Sequence, residues 1–91
     1  MPKGSFDFNL FRAIEVFAAV VETRHVTQAA QMLGMTQSAA SQHLKNLETA
    51  LGVSLIDRNL RPIELTQAGV ALHRRSIAIL NEVEGLRTDV R

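Results

Sequence analysis

VTQAAQMLGMTQSAASQHLKNLETALG, residues 26–52, decides the fold of this 91-residue chain. Thr27 can cap a short helix, with Val26 as the hydrophobic staple before it, and Gly34 stops that helix. Thr36 offers a second cap. The helix it opens runs to about Leu51, with Gly52 available as the left-handed residue beyond its end. In this helix Ala40, Leu44, Leu47 and Leu51 recur at steps of 4, 3 and 4 and form a core stripe, while Ser38, Ser41, Gln42, Lys45 and Thr49 share the opposite side. Two short helices joined by Gly34-Met35-Thr36, the second polar but scarcely charged on its outer face, have the arrangement of a helix-turn-helix.

Upstream, Leu10, Ile14, Phe17 and Val21 repeat at helical spacing with Phe11 and Ala18 beside them, and Arg12, Glu15 and Glu22 take the other side. An amphipathic helix is expected over residues 10–24. Downstream, Leu55 and the pair Ile63 and Leu65 lie in short β-compatible runs, and Arg58-Asn59-Leu60-Arg61-Pro62 between them supplies turn residues. That reads as a small hairpin, or wing. Thr66 can cap a last helix from about Gln67 to Val90, where Leu72, Ser76, Ile79, Val83, Leu86 and Val90 form a seam at alternating steps of 4 and 3. Such a helix would be roughly 36 Å long, more than a small domain covers, so the seam is expected to pair with the same helix of a second copy. Gly85 weakens it by about 1 kcal/mol relative to alanine.

The expected fold is therefore mainly α: a winged helix-turn-helix of three helices and a β-hairpin wing, followed by a long dimerisation linker helix. The domain organisation expected is a DNA-binding unit over residues 1–66 and a linker helix over residues 67–91.

A major groove about 12 Å wide admits one helix, whose N-terminal turn brings unpaired N–H groups and a positive dipole end toward phosphate. Gln37, Ser38, Ser41 and Gln42 can exchange hydrogen bonds with base edges, and Lys45 can reach a phosphate. Arg58 and Arg61 on the wing would lie beside the duplex, where an arginine can enter a narrow minor groove. Thr27 and Thr36 are helix caps first and phosphate contacts second. A paired last helix would relate two reading helices by a two-fold axis, so the double-stranded DNA site would be a pseudo-palindrome.

Composition narrows the alternatives. Without cysteine there is neither a disulfide framework nor a thiolate zinc site, which fits a reducing cytoplasm. The chain has no apolar run near 18 residues and no signal-peptide core, so no membrane association is expected. A net charge of +1 says little, but residues 58–75 hold Arg58, Arg61, Arg74 and Arg75 against Glu64 alone. Arg74 and Arg75 read as solvated. His25, His43 and His73 lack metal-ligand spacing, and the scattered Ser, His and Asp residues form neither a nucleophile elbow nor a phosphate loop. Neither an enzyme nor a cofactor site is expected. Asp57 with Arg58, and Glu48 with Lys45, are expected as surface ion pairs of little energetic value.

VTQAAQMLGM at 26–35, TQSAASQHLKNLETALG at 36–52, LIDR at 55–58 and RPIELTQAG at 61–69 together resemble the winged helix-turn-helix of LysR-type transcriptional regulators, which are bacterial proteins. The likeness covers about residues 9–90, with Ala29-Ala30, the Gln37 to Ser41 spacing, Leu47-Glu48, Leu51-Gly52 and Leu65-Thr66 with Gly69 in the family's order. It implies that Gln37, Ser38, Ser41, Gln42 and Arg61 face DNA and that the final helix pairs with its dimer mate. Ser38 departs from the family's usual Pro, Ile56 from its Phe, and Arg24-His25 from a common Gly-Ser. Family members are usually several times longer and continue into a ligand-sensing domain. The expectation is an excised DNA-binding domain rather than a natural short form, with any small-molecule effector acting through a sensing domain absent from this chain. At this level a second reading stays open, a helical protein-protein interaction module whose winged fold no longer reads DNA.

Overall fold

A computed structural model describes residues 6–91; the first five residues of the expected 1–66 unit lie outside the described residues. Helix α1 spans Leu10–Thr23, α2 Val26–Met32 and α3 Gln37–Leu51; strands β1 (Ile56–Asp57) and β2 (Glu64–Leu65) form the wing, and α4 runs Gln67–Asp89. The strands are antiparallel, with Ile56 opposite Leu65 and Asp57 opposite Glu64. This is the winged helix-turn-helix and long helix that the patterning predicts.

The apolar stripes converge on one core. From α1 it takes Ala13, Val16, Phe17 and Val20, from α2 the pair Ala29 and Ala30, from α3 Ala40, Leu44 and Leu47, and from the wing Leu55, Ile56 and Ile63. The alanines matter because they let α2 approach α1 and α3 closely, at side-chain volumes that leave Phe17 as the one large aromatic filler at the centre. Asn9 caps α1 by accepting from Arg12 N–H at 3.0 Å. Thr36 caps α3 by accepting from Ala39 N–H at 3.1 Å, and Thr66 caps α4 through Gly69 N–H at 3.0 Å. Gly34 and Gly52 adopt φ of 67° and 70°, the left-handed conformation that ends α2 and α3.

Four expectations need correction. Thr27 does not cap α2: the helix begins at Val26 with His25 at its cap, and the His25 carbonyl already accepts from Ala29 N–H at 3.0 Å, so Thr27 lies inside the first turn facing solvent. Leu51 is 40% exposed at the C-terminal end of α3, so the core stripe of that helix ends at Leu47. Arg12 is not simply on a solvated face; half-buried, it donates to the Leu33 carbonyl at 2.9 Å and closes the C-terminal end of α2, where helix carbonyls lack partners.

The fourth correction concerns α4. Ser76 is 0% exposed and Leu72 packs on the core. Gly69, Leu72 and Ser76 share the face that docks α4 on its own domain, so Ser76 belongs to the core side of the helix and not to a free seam. Its hydroxyl has no hydrogen-bond partner among the described residues. Beyond Ser76 the apolar residues Ile79, Leu86 and Val90 are exposed, the last two at 60% and 74%, with Val83 half-buried between them. No helix among the described residues is long and apolar enough to cross a membrane.

Candidate nucleic-acid interface

The two alanines that bury α2 turn its other side outward, and the Gly34 turn then sets α3 across it so that the stripe Ala40, Leu44 and Leu47 faces inward. The polar row of α3 is left free. Gln37, Ser38, Ser41, Gln42 and Lys45 are all exposed and line one open groove along the helix. A second cavity adjoins it, lined by His25, Val26, Thr27, Gln28, Gln31, Gln37, Arg61 and Ile63. Gln37 is common to both. The surface is therefore continuous from the polar row of α3, across the start of α2, to Arg61 on the wing.

Within this surface the polar groups are partly pre-oriented. Gln42 Nε2 donates to Asn46 Oδ1 at 2.9 Å, one helical turn on, which leaves the Gln42 carbonyl oxygen and its second N–H directed away from that contact. The Thr36 hydroxyl is committed to its cap. Arg61 folds over the wing loop, donating to the Leu60 carbonyl at 3.0 Å and also to the carbonyl of Arg58. Those are exposed contacts to neutral acceptors, which a phosphate or a base edge can replace.

Arg58 is not brought to this surface. Its guanidinium grips Glu48 of α3, with Nη2 to Oε1 at 2.9 Å and Nη1 to Oε2 at 3.3 Å. The expected partner Asp57 instead accepts from Asn59 N–H at 3.0 Å, a local turn contact, and Lys45 forms no ion pair with Glu48. Both expected pairs are thus replaced by a single one. Burial by itself pushes the Glu48 carboxyl up, but hydrogen bonds from Arg58 and from Leu55 N–H, with the charge of Arg58, outweigh it and hold the group below its ordinary value.

Sequence reasoning missed several members of this surface. Gln28 and Gln31 project from α2 on the side opposite Ala29 and Ala30, and His25 stands at the same edge. The signal was present, since polar residues at i and i+3 flanking a buried alanine pair must share an outer face. Arg24 was also missed as a structural element. It sits at φ 62° after α1, donates to the Ile63 carbonyl at 3.2 Å and pairs with Glu64 at 3.2 Å, while its own carbonyl accepts from Ile63 N–H.

Comparison with known proteins agrees with this geometry. Residues 11–70 match the model of the bacterial regulatory helix-turn-helix proteins of the lysR family. The HTH-type transcriptional regulator CrgA of Neisseria meningitidis is 39% identical over 77 residues, which is 85% of this chain and 26% of CrgA. ShiR of Corynebacterium glutamicum is 48% identical over 68 residues, 72% of this chain and 23% of ShiR. The chain thus spans about a quarter of the length of these relatives, both of them HTH-type transcriptional regulators. Among solved structures, the BenM DNA-binding domain in complex with benA site 1 DNA superposes with a TM-score of 0.85 at 32% identity, covering 91% of this chain and 92% of that one. The CbnR DNA-binding domain in complex with DNA gives 0.78 at 38% identity, covering 87% and 90%. With its winged fold, its exposed polar row on α3 and these matches in agreement, the chain belongs to the LysR family of bacterial helix-turn-helix regulators and comprises a DNA-binding domain of that type.

Proposed function

We propose that this domain reads double-stranded DNA in a sequence-specific manner, with α3 in the major groove and Arg61 of the wing in the adjacent minor groove. The observation that carries the reading is the continuity of one exposed polar surface from Lys45 and Gln42 through Ser41, Ser38 and Gln37 to Arg61. A row of amides and hydroxyls can match donors and acceptors on base edges, whereas a row of like charges would bind any phosphate backbone. Thr27 lines the same surface and supplies a phosphate contact; Thr36 contributes through its cap, by presenting the first turn of α3. The solved DNA complexes of BenM and CbnR domains support the reading.

Residues 1–66 act as the reading unit and residues 67–91 as the pairing helix, the first turns of α4 serving both. Ile79, Val83, Leu86 and Val90 form the seam between two copies, Leu72 being taken by the core of its own domain, and the operator is a pseudo-palindrome whose half-site spacing the pair sets. The protein works in the bacterial cytoplasm. A small-molecule effector acts through a sensing domain outside these 91 residues, since the matched segment makes up only about a quarter of the relatives. The test is titration into duplexes at several salt concentrations, comparing palindromes recovered from a random pool with random sequence. A reader shows both a salt slope and a preference for the recovered sequences. Equal affinity for the two duplex classes would overturn the proposal.

A further inference from the structure

The Glu48 carboxylate sits where three elements meet. It belongs to α3, and its two oxygens take the guanidinium of Arg58 from the wing. Oε2 also accepts from Leu55 N–H at 2.7 Å and from the Ser54 hydroxyl at 3.5 Å, at the point where the chain enters β1. The same two residues are held from the other side by the start of α4: the Thr66 hydroxyl donates to the Ser54 carbonyl at 2.6 Å, and Thr66 N–H to the Leu55 carbonyl at 3.1 Å. The root of the wing is therefore pinned between reading helix and long helix by hydrogen bonds, one set of them charge-assisted and with only 15% of the Glu48 side chain exposed.

We propose that Glu48 is a positioning residue for DNA recognition, fixing the wing at a set distance from α3, and that Arg58 acts through Glu48 instead of on a phosphate. This rests on the reading of α3 and the wing as the DNA-contacting elements. A carboxylate on the reading helix repels a polyanion unless neutralised, and Arg58 neutralises it. A guanidinium spent on that carboxylate adds no net attraction for phosphate. What it adds is geometry, because the separation of major-groove and minor-groove contacts depends on where the wing is held.

The test uses Glu48→Gln, Arg58→Ala and the double variant in the full 91-residue chain. Each is titrated at several salt concentrations into the duplex that the wild type selects from a random pool, and each is passed through the same selection. Arg58 is the more exposed partner, so Arg58→Ala is the variant that carries the test if Glu48→Gln fails to fold. Each single variant is expected to lose affinity on the order of tenfold, with the double variant, which removes both charges of the pair, no weaker than the weaker single and matching the wild-type salt slope. Base preference at the positions under the wing should flatten while preference under α3 persists, an outcome that general loss of stability does not produce. A salt slope reduced by about one in the double variant marks a direct phosphate contact by Arg58 and overturns the proposal, as do additive losses there. If the wild type selects no sequence, the DNA reading itself fails; if it selects and the variants behave in these contrary ways, only the positioning role falls.

Discussion

Arg24 and Ile63 are joined twice: Ile63 N–H donates to the Arg24 carbonyl at 3.3 Å, and the Arg24 guanidinium donates to the Ile63 carbonyl at 3.2 Å. The end of α1 is thereby tied to the entry of β2, across 39 residues of sequence, with Glu64 as an exposed ionic partner. Arg24 does this from the left-handed conformation, which costs a non-glycine residue roughly 1–2 kcal/mol. Two substitutions separate strain from tie. Arg24→Ala keeps the strain and loses the guanidinium, and should destabilise by about 1–2 kcal/mol; Arg24→Gly loses the same contacts but removes the strain, and should be more stable than the alanine variant by about 1 kcal/mol. Denaturant unfolding of the two checks this order. Alanine equal to or above glycine would mean that the left-handed geometry is not maintained in solution.

The glycines of α4 should respond in opposite directions. A methyl group on Gly69 would collide with the Leu55 carbonyl oxygen, a backbone atom that Thr66 also holds, whereas a methyl group on Gly85 meets open space. Gly69→Ala should therefore cost on the order of 1–3 kcal/mol or more through overpacking where α4 crosses the wing root. Gly85→Ala should gain about 1 kcal/mol of helix stability. Thermal unfolding of both variants tests the pair, and a stabilised Gly69→Ala would show that this close approach is absent.

These two sites also show what the sequence could and could not reveal. The 3-4 spacing of Ala40, Leu44 and Leu47 and the caps at Thr36 and Thr66 were legible because they depend on neighbours within one turn. So was the polar row of α3, whose exposure follows from the burial of the opposite stripe. The Arg24 tie, the Arg12 closure of α2 and the Glu48–Arg58 pair were not legible, since each long side chain reaches a partner that only tertiary folding brings near. Ser76 was misplaced for a related reason. Periodicity reports which residues share a face of α4, but the first turns of that face are claimed by the domain itself, and the spacing is the same on both sides of the handover.

Glu48 gives the domain an acid-sensitive element. Its carboxyl is held below the ordinary 4.5, so it is more readily ionised in the folded than in the unfolded chain. Stability from such a group is fully present above the unfolded value and is lost as pH falls from there through the lowered folded value. Glu48→Gln should be less stable than the wild type at neutral pH, and the difference should shrink as pH is taken below 4.5. Denaturant midpoints measured along that range decide it; a gap that stays constant into acid would show that the ionised form carries none of the contact energy.

Direct readout by α3 predicts an asymmetry between duplexes. Gln37→Ala or Ser41→Ala should cost on the order of 1–3 kcal/mol on the selected sequence and far less on random duplex, because a base-edge hydrogen bond is lost only where the matching base is present. Both residues are exposed, so folding should be unaffected. Equal losses on the two duplexes would assign the polar row to backbone contact and leave sequence preference to another part of the surface.

The last prediction distinguishes the two ends of α4. Ile79 is exposed and Val83 half-buried beyond the part of the helix that the domain covers, so replacing both with lysine should yield monomers by sedimentation and lower the affinity for paired half-sites. Ser76, three residues before Ile79, should behave differently although it continues the same 4-3 pattern. Its buried hydroxyl has no partner among the described residues, a deficit that costs roughly 1–3 kcal/mol, so Ser76→Ala should leave the dimer intact and raise the unfolding midpoint. Loss of dimerisation in Ser76→Ala would place the seam one turn earlier than the fold puts it. A lysine pair that remained dimeric would move it off this face altogether, because two charges cannot be buried side by side in an apolar helix contact without dissociating it.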